Sequence, residues 1–144
     1  MTRDESDGLY MGVAFNFSRF SKAKRKQVGA CLVTKTGVIL GGINGTPKGT
    51  CNVCENEKID METGDIELVT KPEVIHAELN CILKAAKEGV SCVDSVIYVT
   101  LSPCMPCAAM LIQAGVREVY YHEPYRDLTP VDYLMHNGVI VKQI

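Results

Sequence analysis

Apolar residues recur at helical spacing from about Asp4 to Phe20, where Leu9, Val13, Phe17 and Phe20 would form one face. A polar connection, Lys22 to Gln27, follows. Val28 to Thr34 and Gly37 to Ile43 are short apolar and β-branched runs, and Thr34-Lys35-Thr36-Gly37 between them has turn chemistry. They are predicted to pair as a hairpin. Asn44-Gly45-Thr46-Pro47-Lys48-Gly49 is loop throughout. From there to Thr70 the chain is polar without a sustained period. A loop this long inside a compact domain is uncommon, so the segment is expected to be a lid or an interface, with some short helix in Asn52 to Asp60. The pattern resumes at Pro72, which suits a first helical position. That helix is expected to run to Lys87 or Glu88 and stop at Gly89, with Ile75, Leu79, Ile82 and Ala86 as its apolar face. Ser95 to Leu101 reads as a strand. Pro103 and Pro106 fit only the first turn of the next helix, which runs to about Ala114 and stops at Gly115. Arg117 to His122 is a strand, Pro130 to His136 a short helix, and Gly138 to Gln143 a last strand. Strand–helix–strand connections imply parallel pairing for these later strands. The expected fold class is α/β, a three-layer α/β/α arrangement with a mixed five-stranded sheet, in a single domain spanning residues 1–144.

A chain of 144 residues can bury a real core, and 47% apolar with 22% charged residues is ordinary globular composition. The net charge of −2 gives no general nucleic-acid-binding surface. Positive charge is local: Lys22, Lys24, Arg25 and Lys26 fall together, and Lys48 comes later. Such a run is as readily a solvated loop as a mouth that attracts phosphate. No apolar stretch is long enough to span a membrane, and Met1-Thr2-Arg3-Asp4-Glu5 leads into no signal-peptide core. Seven cysteines, an odd number, suit a reducing cytoplasm better than a disulfide framework.

The chemistry lies in His76-Ala77-Glu78 and Pro103-Cys104-Met105-Pro106-Cys107. Either half alone is weak: buried helices often carry a His-x-Glu pair, and Cys-x-x-Cys can be a redox pair or half of a zinc finger. Together, at average residue usage, they should arise by chance on the order of once in ten thousand chains of this length or less. His76, Cys104 and Cys107 can hold a zinc ion, and a tetrahedral site with three protein ligands keeps its fourth position for water. A closed structural site would need a fourth His or Cys nearby. Cys104 and Cys107 lie on one face at a helix start, where the helix dipole favours thiolates. On a continuous helix His76 and Glu78 would be about 200° apart, which suits Glu78 as a proton shuttle and not a ligand. His-x-Glu with a later Pro-Cys-x-x-Cys is a known signature of zinc-dependent nucleobase deaminases, in which water replaces an amine at an amidine carbon such as C4 of cytosine.

Ile75-His76-Ala77-Glu78-Leu79-Asn80, Tyr98-Val99-Thr100-Leu101-Ser102-Pro103-Cys104 and the Asn44-Gly45-Thr46-Pro47 loop resemble the deoxycytidylate (dCMP) deaminase family, within the zinc-dependent cytidine deaminase superfamily. The resemblance runs from about Val28 to the C-terminus. Tyr120-Tyr121, with Tyr125 after them, and the Asn-Gly-x-Pro loop narrow it to dCMP deaminases. The resemblance implies a cytidine-deaminase-like fold, zinc on His76, Cys104 and Cys107, and Glu78 as catalytic proton shuttle. It implies that Asn44 contacts the sugar and that Tyr125 packs near the pyrimidine or its phosphate. Lys24 and Arg25 are the candidates for the phosphate. It further implies a homohexamer, dCTP with Mg²⁺ as activator, dTTP as inhibitor, and dUMP and ammonia as products, feeding thymidylate synthesis.

Two departures bear on this. The family commonly has Gly-Tyr-Asn-Gly in the loop, and Ile43 stands here for the tyrosine, at a loop linked to the regulatory nucleotide. Cys51-Asn52-Val53-Cys54 is a second Cys-x-x-Cys, which is half of a second zinc site or two free thiols. Rival readings remain at this level. One is a deaminase of dCTP, or of both nucleotides, or of cytidine, guanine or a transfer-RNA adenosine; the last predicts a strongly basic face that a charge of −2 does not supply. Another is a catalytically silent zinc module for assembly. Glu78 speaks against it, since a structural site does not need that residue, and turnover separates the two.

Overall fold

A computed structural model describes residues 1–144. In chain order the elements are α1 (Arg3–Ser18), β1 (Gly29–Val33), β2 (Ile39–Ile43), β3 (Glu55–Ile59), β4 (Ile66–Thr70), α2 (Ala77–Glu88), β5 (Val96–Leu101), α3 (Met105–Ala114), β6 (Glu118–Glu123), α4 (Thr129–His136) and β7 (Ile140–Gln143). Five strands form one mixed sheet in the order β2-β1-β5-β6-β7. β1 runs antiparallel to both β2 and β5, while β5, β6 and β7 are mutually parallel. This is the α/β architecture expected from the sequence.

Strand alternation divides the core into two layers. Ala30, Leu32, Ile97, Val99, Val119 and Tyr121 point to one face, where they meet α2, α3 and α4 in the larger core. Cys31, Tyr98 and Tyr120 point to the other and pack under Met11 and Ala14 of α1. Leu32, Ile97 and Leu111 are fully buried, each contributing roughly 1.5–3 kcal/mol of hydrophobic stabilisation. Thr2 caps α1 through a reciprocal pair with Glu5. Arg3 and Asp7 of α1 reach the sheet: Arg3 bonds Glu118 and Tyr120, and Tyr98 donates to Asp7 at 2.6 Å. No helix is long and apolar enough to cross a membrane.

Several local expectations are corrected. The buried stripe of α1 is Met11 and Ala14, with Tyr10 and Val13 partly buried, whereas Leu9 and Phe20 are exposed. The helix expected from Pro72 begins at Ala77, because the preceding residues are held otherwise: the Val74 N–H closes a turn on the Lys71 carbonyl at 3.1 Å, and Ile75 and Gly45 exchange backbone hydrogen bonds at 2.8 and 3.0 Å. Its core face is Ala77, Glu78, Cys81 and Ala85; Ile82 is partly buried and Ala86 is exposed. Asn52 to Asp60 holds no helix. β3 and β4 instead form a separate antiparallel hairpin, closed by a turn in which the Asp60 carboxylate accepts from the backbone N–H groups of Glu62 and Thr63 and Gly64 takes φ 75°.

Two glycines set how closely helices approach the sheet. A Cβ on Gly29 would lie 1.9 Å from the Ala14 carbonyl oxygen of α1, and one on Gly42 would lie 2.5 Å from that of Ala77 in α2. Asn80 further ties α2 to the end of β2, donating from Nδ2 to the Ile43 carbonyl at 2.6 Å. The contact at Gly42 sits directly beneath the residues that carry the chemistry. Gly42→Ala is therefore expected to destabilise the protein by about 1–3 kcal/mol through overpacking, read from the midpoint of urea unfolding. An unchanged midpoint would mean that α2 does not rest on β2 as described.

Candidate metal centre and its cavity

His76 and Cys104 hold equivalent positions at the starts of two helices. Each is an N-cap with extended backbone, and neither side chain caps its own helix. An N-cap position ordinarily uses its side chain on the exposed N–H groups; here both side chains are free to turn toward each other. Cys107 is the third residue of α3, so its sulfur returns to the same end of the helix as that of Cys104. The result is a compact donor set. His76 Nδ1 lies 3.3 Å from Cys104 Sγ and 3.4 Å from Cys107 Sγ. All three donor atoms lie within 4.8 Å of one another, and no other set of three or more His, Cys, Asp or Glu side chains converges in this way.

Those distances can be tested against an ion. Zinc with Zn–S of about 2.3 Å and Zn–N of about 2.05 Å at tetrahedral angles separates nitrogen from sulfur by about 3.6 Å. The observed spacings are about 0.2–0.3 Å shorter. The set fits zinc by geometry and by donor type. Its electrostatics already lean that way. Cys104 is driven toward the thiolate, first by its hydrogen bond with Cys107 and then by His76, against the opposing effect of burial. Cys107 is pushed the other way by the same shared proton and by burial. His76 is held above its ordinary value, chiefly by its hydrogen bond to Cys104.

Glu78, second in α2, is 4% exposed. Burial raises its carboxyl to about 7, against the opposing effects of its own backbone N–H and of His76. It lines a cavity of about 350 Å³ together with His76, Cys104, Leu101 and Ser102 at the ends of β5 and α3. A carboxyl near neutrality beside a metal-ligating set can both accept and donate protons at working pH.

Of the other residues expected at a site, Asn44, Arg25 and Tyr125 line this cavity, and Lys26 joins them. Lys24 does not line it; its backbone N–H donates to the carboxylate of Glu55, a lining residue on β3. Asn44 is engaged inside the protein. Its Oδ1 accepts from Ser21 at 2.6 Å and from the Val28 N–H at 2.9 Å, and its Nδ2 donates to the Lys26 carbonyl at 2.8 Å. It fixes the basic loop and the start of β1. Tyr125 is positioned by its N–H, which donates to Ser102 Oγ at 2.7 Å. Cys51 and Cys54 join no group of metal-ligating side chains; Cys51 is exposed, Cys54 buried against the cavity.

The sequence did not point to Glu55, Thr70 and Val74, and offered Cys54 only as half of a second zinc site; together they bring the hairpin and its exit into the cavity wall. Only a strand assignment for 55–70 would have found them, because Glu55 and Thr70 become neighbours through β-pairing.

The family model for the cytidine and deoxycytidylate deaminase zinc-binding region matches residues 4–123. Deoxycytidylate deaminase from Homo sapiens is 39% identical over 122 residues, covering 82% of this chain and 65% of its own length, so the chain spans less than two thirds of that relative. ComE operon protein 2 of Bacillus subtilis is 37% identical over 145 residues, covering 100% of this chain and 74% of its own. Among solved structures, dCMP deaminase from cyanophage S-TIM5 in complex with dCMP and dUMP matches with a TM-score of 0.84 and 40% identity over 100% of both chains.

The protein purified without chelator is expected to carry about one zinc per chain by elemental analysis, and Cys104→Ala to lose it. Stoichiometric zinc retained by the variant would mean that the donor set is wrongly assigned.

Proposed function

The chain belongs to the cytidine and deoxycytidylate deaminase family, and from that premise we propose that it hydrolyses dCMP to dUMP and ammonia, as one deaminase domain over residues 1–144 that supplies dUMP for dTTP synthesis. The observation that carries this reading is the buried Glu78 carboxyl, which shares a cavity with the metal-ligating His76 and Cys104. A purely structural metal site has no use for such a group.

In this reading His76, through Nδ1, and the thiolates of Cys104 and Cys107 hold the zinc. Held by these residues, a zinc ion would lower the pKa of a water from about 15.7 toward about 7 and so supply a nucleophile at neutral pH. Glu78 takes one proton from the attacking water and gives it to ring N3 as the bond to C4 forms. It takes the second proton and gives it to the exocyclic amine as the C4–N bond breaks. One carboxyl thus serves as base and then as acid. Both protons of the water are accounted for, one on N3 and one on ammonia, and a carbonyl remains at C4.

Ala23, Val28, Val74 and Leu101 provide apolar walls for a pyrimidine. Arg25, with Lys26 beside it at the mouth, meets the 5′-phosphate, and Lys24 adds charge from the same loop without lining the cavity. Asn44, fixed by its internal hydrogen bonds, has one Nδ2 hydrogen left to offer the sugar, and Tyr125 packs near the pyrimidine or its phosphate.

The reading extends to a homohexamer activated by dCTP with Mg²⁺ and inhibited by dTTP, in the cytoplasm. Family likeness supports the assembly and effectors. Seven unpaired cysteines support the reducing compartment. Ile43, in place of the family's tyrosine, is where effector response is read, by comparing turnover with and without dCTP and Mg²⁺.

The zinc-loaded protein is expected to remove the cytosine absorbance band of dCMP. Glu78→Ala is expected to keep its zinc and to lower kcat by about a hundredfold or more. Wild-type turnover in that variant would overturn the assigned shuttle, and an unchanged band with the wild-type protein would overturn the substrate.

A further inference from the structure

Glu55 is a buried carboxylate that the mechanism does not use. It is 8% exposed and lines the cavity from β3, an element separate from the helices that carry the metal-ligating residues. A negative side chain in the wall of a site for an anionic nucleotide weakens binding unless its charge is taken up elsewhere. Here it is. The Lys24 N–H donates to both Glu55 oxygens, at 3.1 and 3.0 Å, and the Arg25 N–H donates to Oε2 at 3.2 Å. Two successive backbone donors on one carboxylate form a charge-assisted clamp on the loop that carries Lys24, Arg25 and Lys26.

The clamp acts on Arg25 in particular. Its guanidinium has no carboxylate partner; Nη1 donates to Thr70 Oγ1 at 3.1 Å. Thr70 is the β-pairing partner of Glu55. Backbone and side chain of Arg25 are therefore both held by one residue pair of the hairpin. Lys26 differs, because its ammonium is already paired with Glu123 at 2.6 Å. Arg25 is left as the lining cation whose charge is uncommitted.

We propose that Glu55 is a positioning residue for nucleotide recognition: by clamping the 24–25 backbone it aims Arg25 at the substrate's 5′-phosphate, so that the β3–β4 hairpin sets affinity for the phosphorylated substrate without entering the chemistry. This rests on the deaminase reading above.

The test is steady-state kinetics on dCMP with zinc-loaded wild type, Glu55→Ala, Glu55→Gln, Arg25→Ala and the double variant Glu55→Ala/Arg25→Ala, with zinc content measured for each. Glu55→Ala is expected to raise KM about tenfold or more while kcat stays within about twofold, the pattern of lost uniform binding. Glu55→Gln, which keeps one acceptor oxygen, is expected to fall between it and wild type. Arg25→Ala is expected to raise KM similarly, and the double variant to be no worse than the worse single one, because the two act as a unit. An unchanged KM in Glu55→Ala, additive effects in the double variant, or a joint fall in kcat and zinc content in both Glu55 variants would each overturn the proposal. Wild-type protein that turns over no dCMP at all would instead remove the functional reading, and this inference with it.

Discussion

Register across β1 is the constraint on which the metal centre depends. His76 enters from the β2 side of the sheet, where Ile75 is bridged to Gly45 and Asn80 holds the Ile43 carbonyl. Cys104 and Cys107 enter from the β5 side, at the start of α3. β1 lies between, and Ala30 faces Gly42 on one flank and Val99 on the other. A one-residue slip on either flank would move one donor group by about 3.3 Å relative to the other. Metal–ligand distances tolerate only about 0.2 Å. The alternation that buries Ala30 and Leu32 on one face and Cys31 on the other excludes such a slip, since it would turn the strand inside out. Core packing and donor spacing are thus two consequences of one pairing.

That relation explains what the sequence made legible. Strands buried on both faces are short continuous apolar runs, and β1, β5 and β6 stood out for that reason. The donor set was legible because Cys104 and Cys107 are local to one helix start and His76 sits beside Glu78. What was not legible depended on pairing between segments. α1 offers apolar residues around most of its circumference, so spacing alone favoured Leu9 and Phe20 where the sheet selects Met11 and Ala14. The 71–75 segment, a turn followed by one bridged residue, reads as helix in sequence because what holds Ile75 out of the helix is a bridge to Gly45, a partner about 30 residues away. β3 is polar up to Ile59, and the apolar residues of β4, Ile66, Leu68 and Val69, span too short a run on a largely exposed hairpin to leave a sustained period.

The cavity holds two buried carboxyls with opposite fates, and their surroundings decide which is which. Glu78 sits at the first turn of α2 among groups that exchange protons, and burial brings it close to neutrality. Glu55 receives two backbone N–H groups from a neighbouring loop, which fix where its side chain lies. The first arrangement suits proton transfer; the second suits holding a shape. Residue type alone assigns neither role. Both carboxyls follow from which backbone comes near, and so from the fold.

The two halves of the cavity also differ in how firmly they are built. The metal-ligating half stands on the five-stranded sheet and on helices packed against β1 and β2. The other half stands on a two-stranded hairpin that packs substantially only on itself and ends in exposed Ile59, Met61 and Ile66. An isolated hairpin is marginally stable in water, so this wall depends on the contacts that tie it to the rest. Its anchors to the rest are few: the Glu55 clamp and the contact between Arg25 and Thr70. Chemistry that tolerates tenths of an ångström is carried by the rigid half. The hairpin half joins it through only these few contacts, so the cavity wall and the donor set are built from separate parts of the fold.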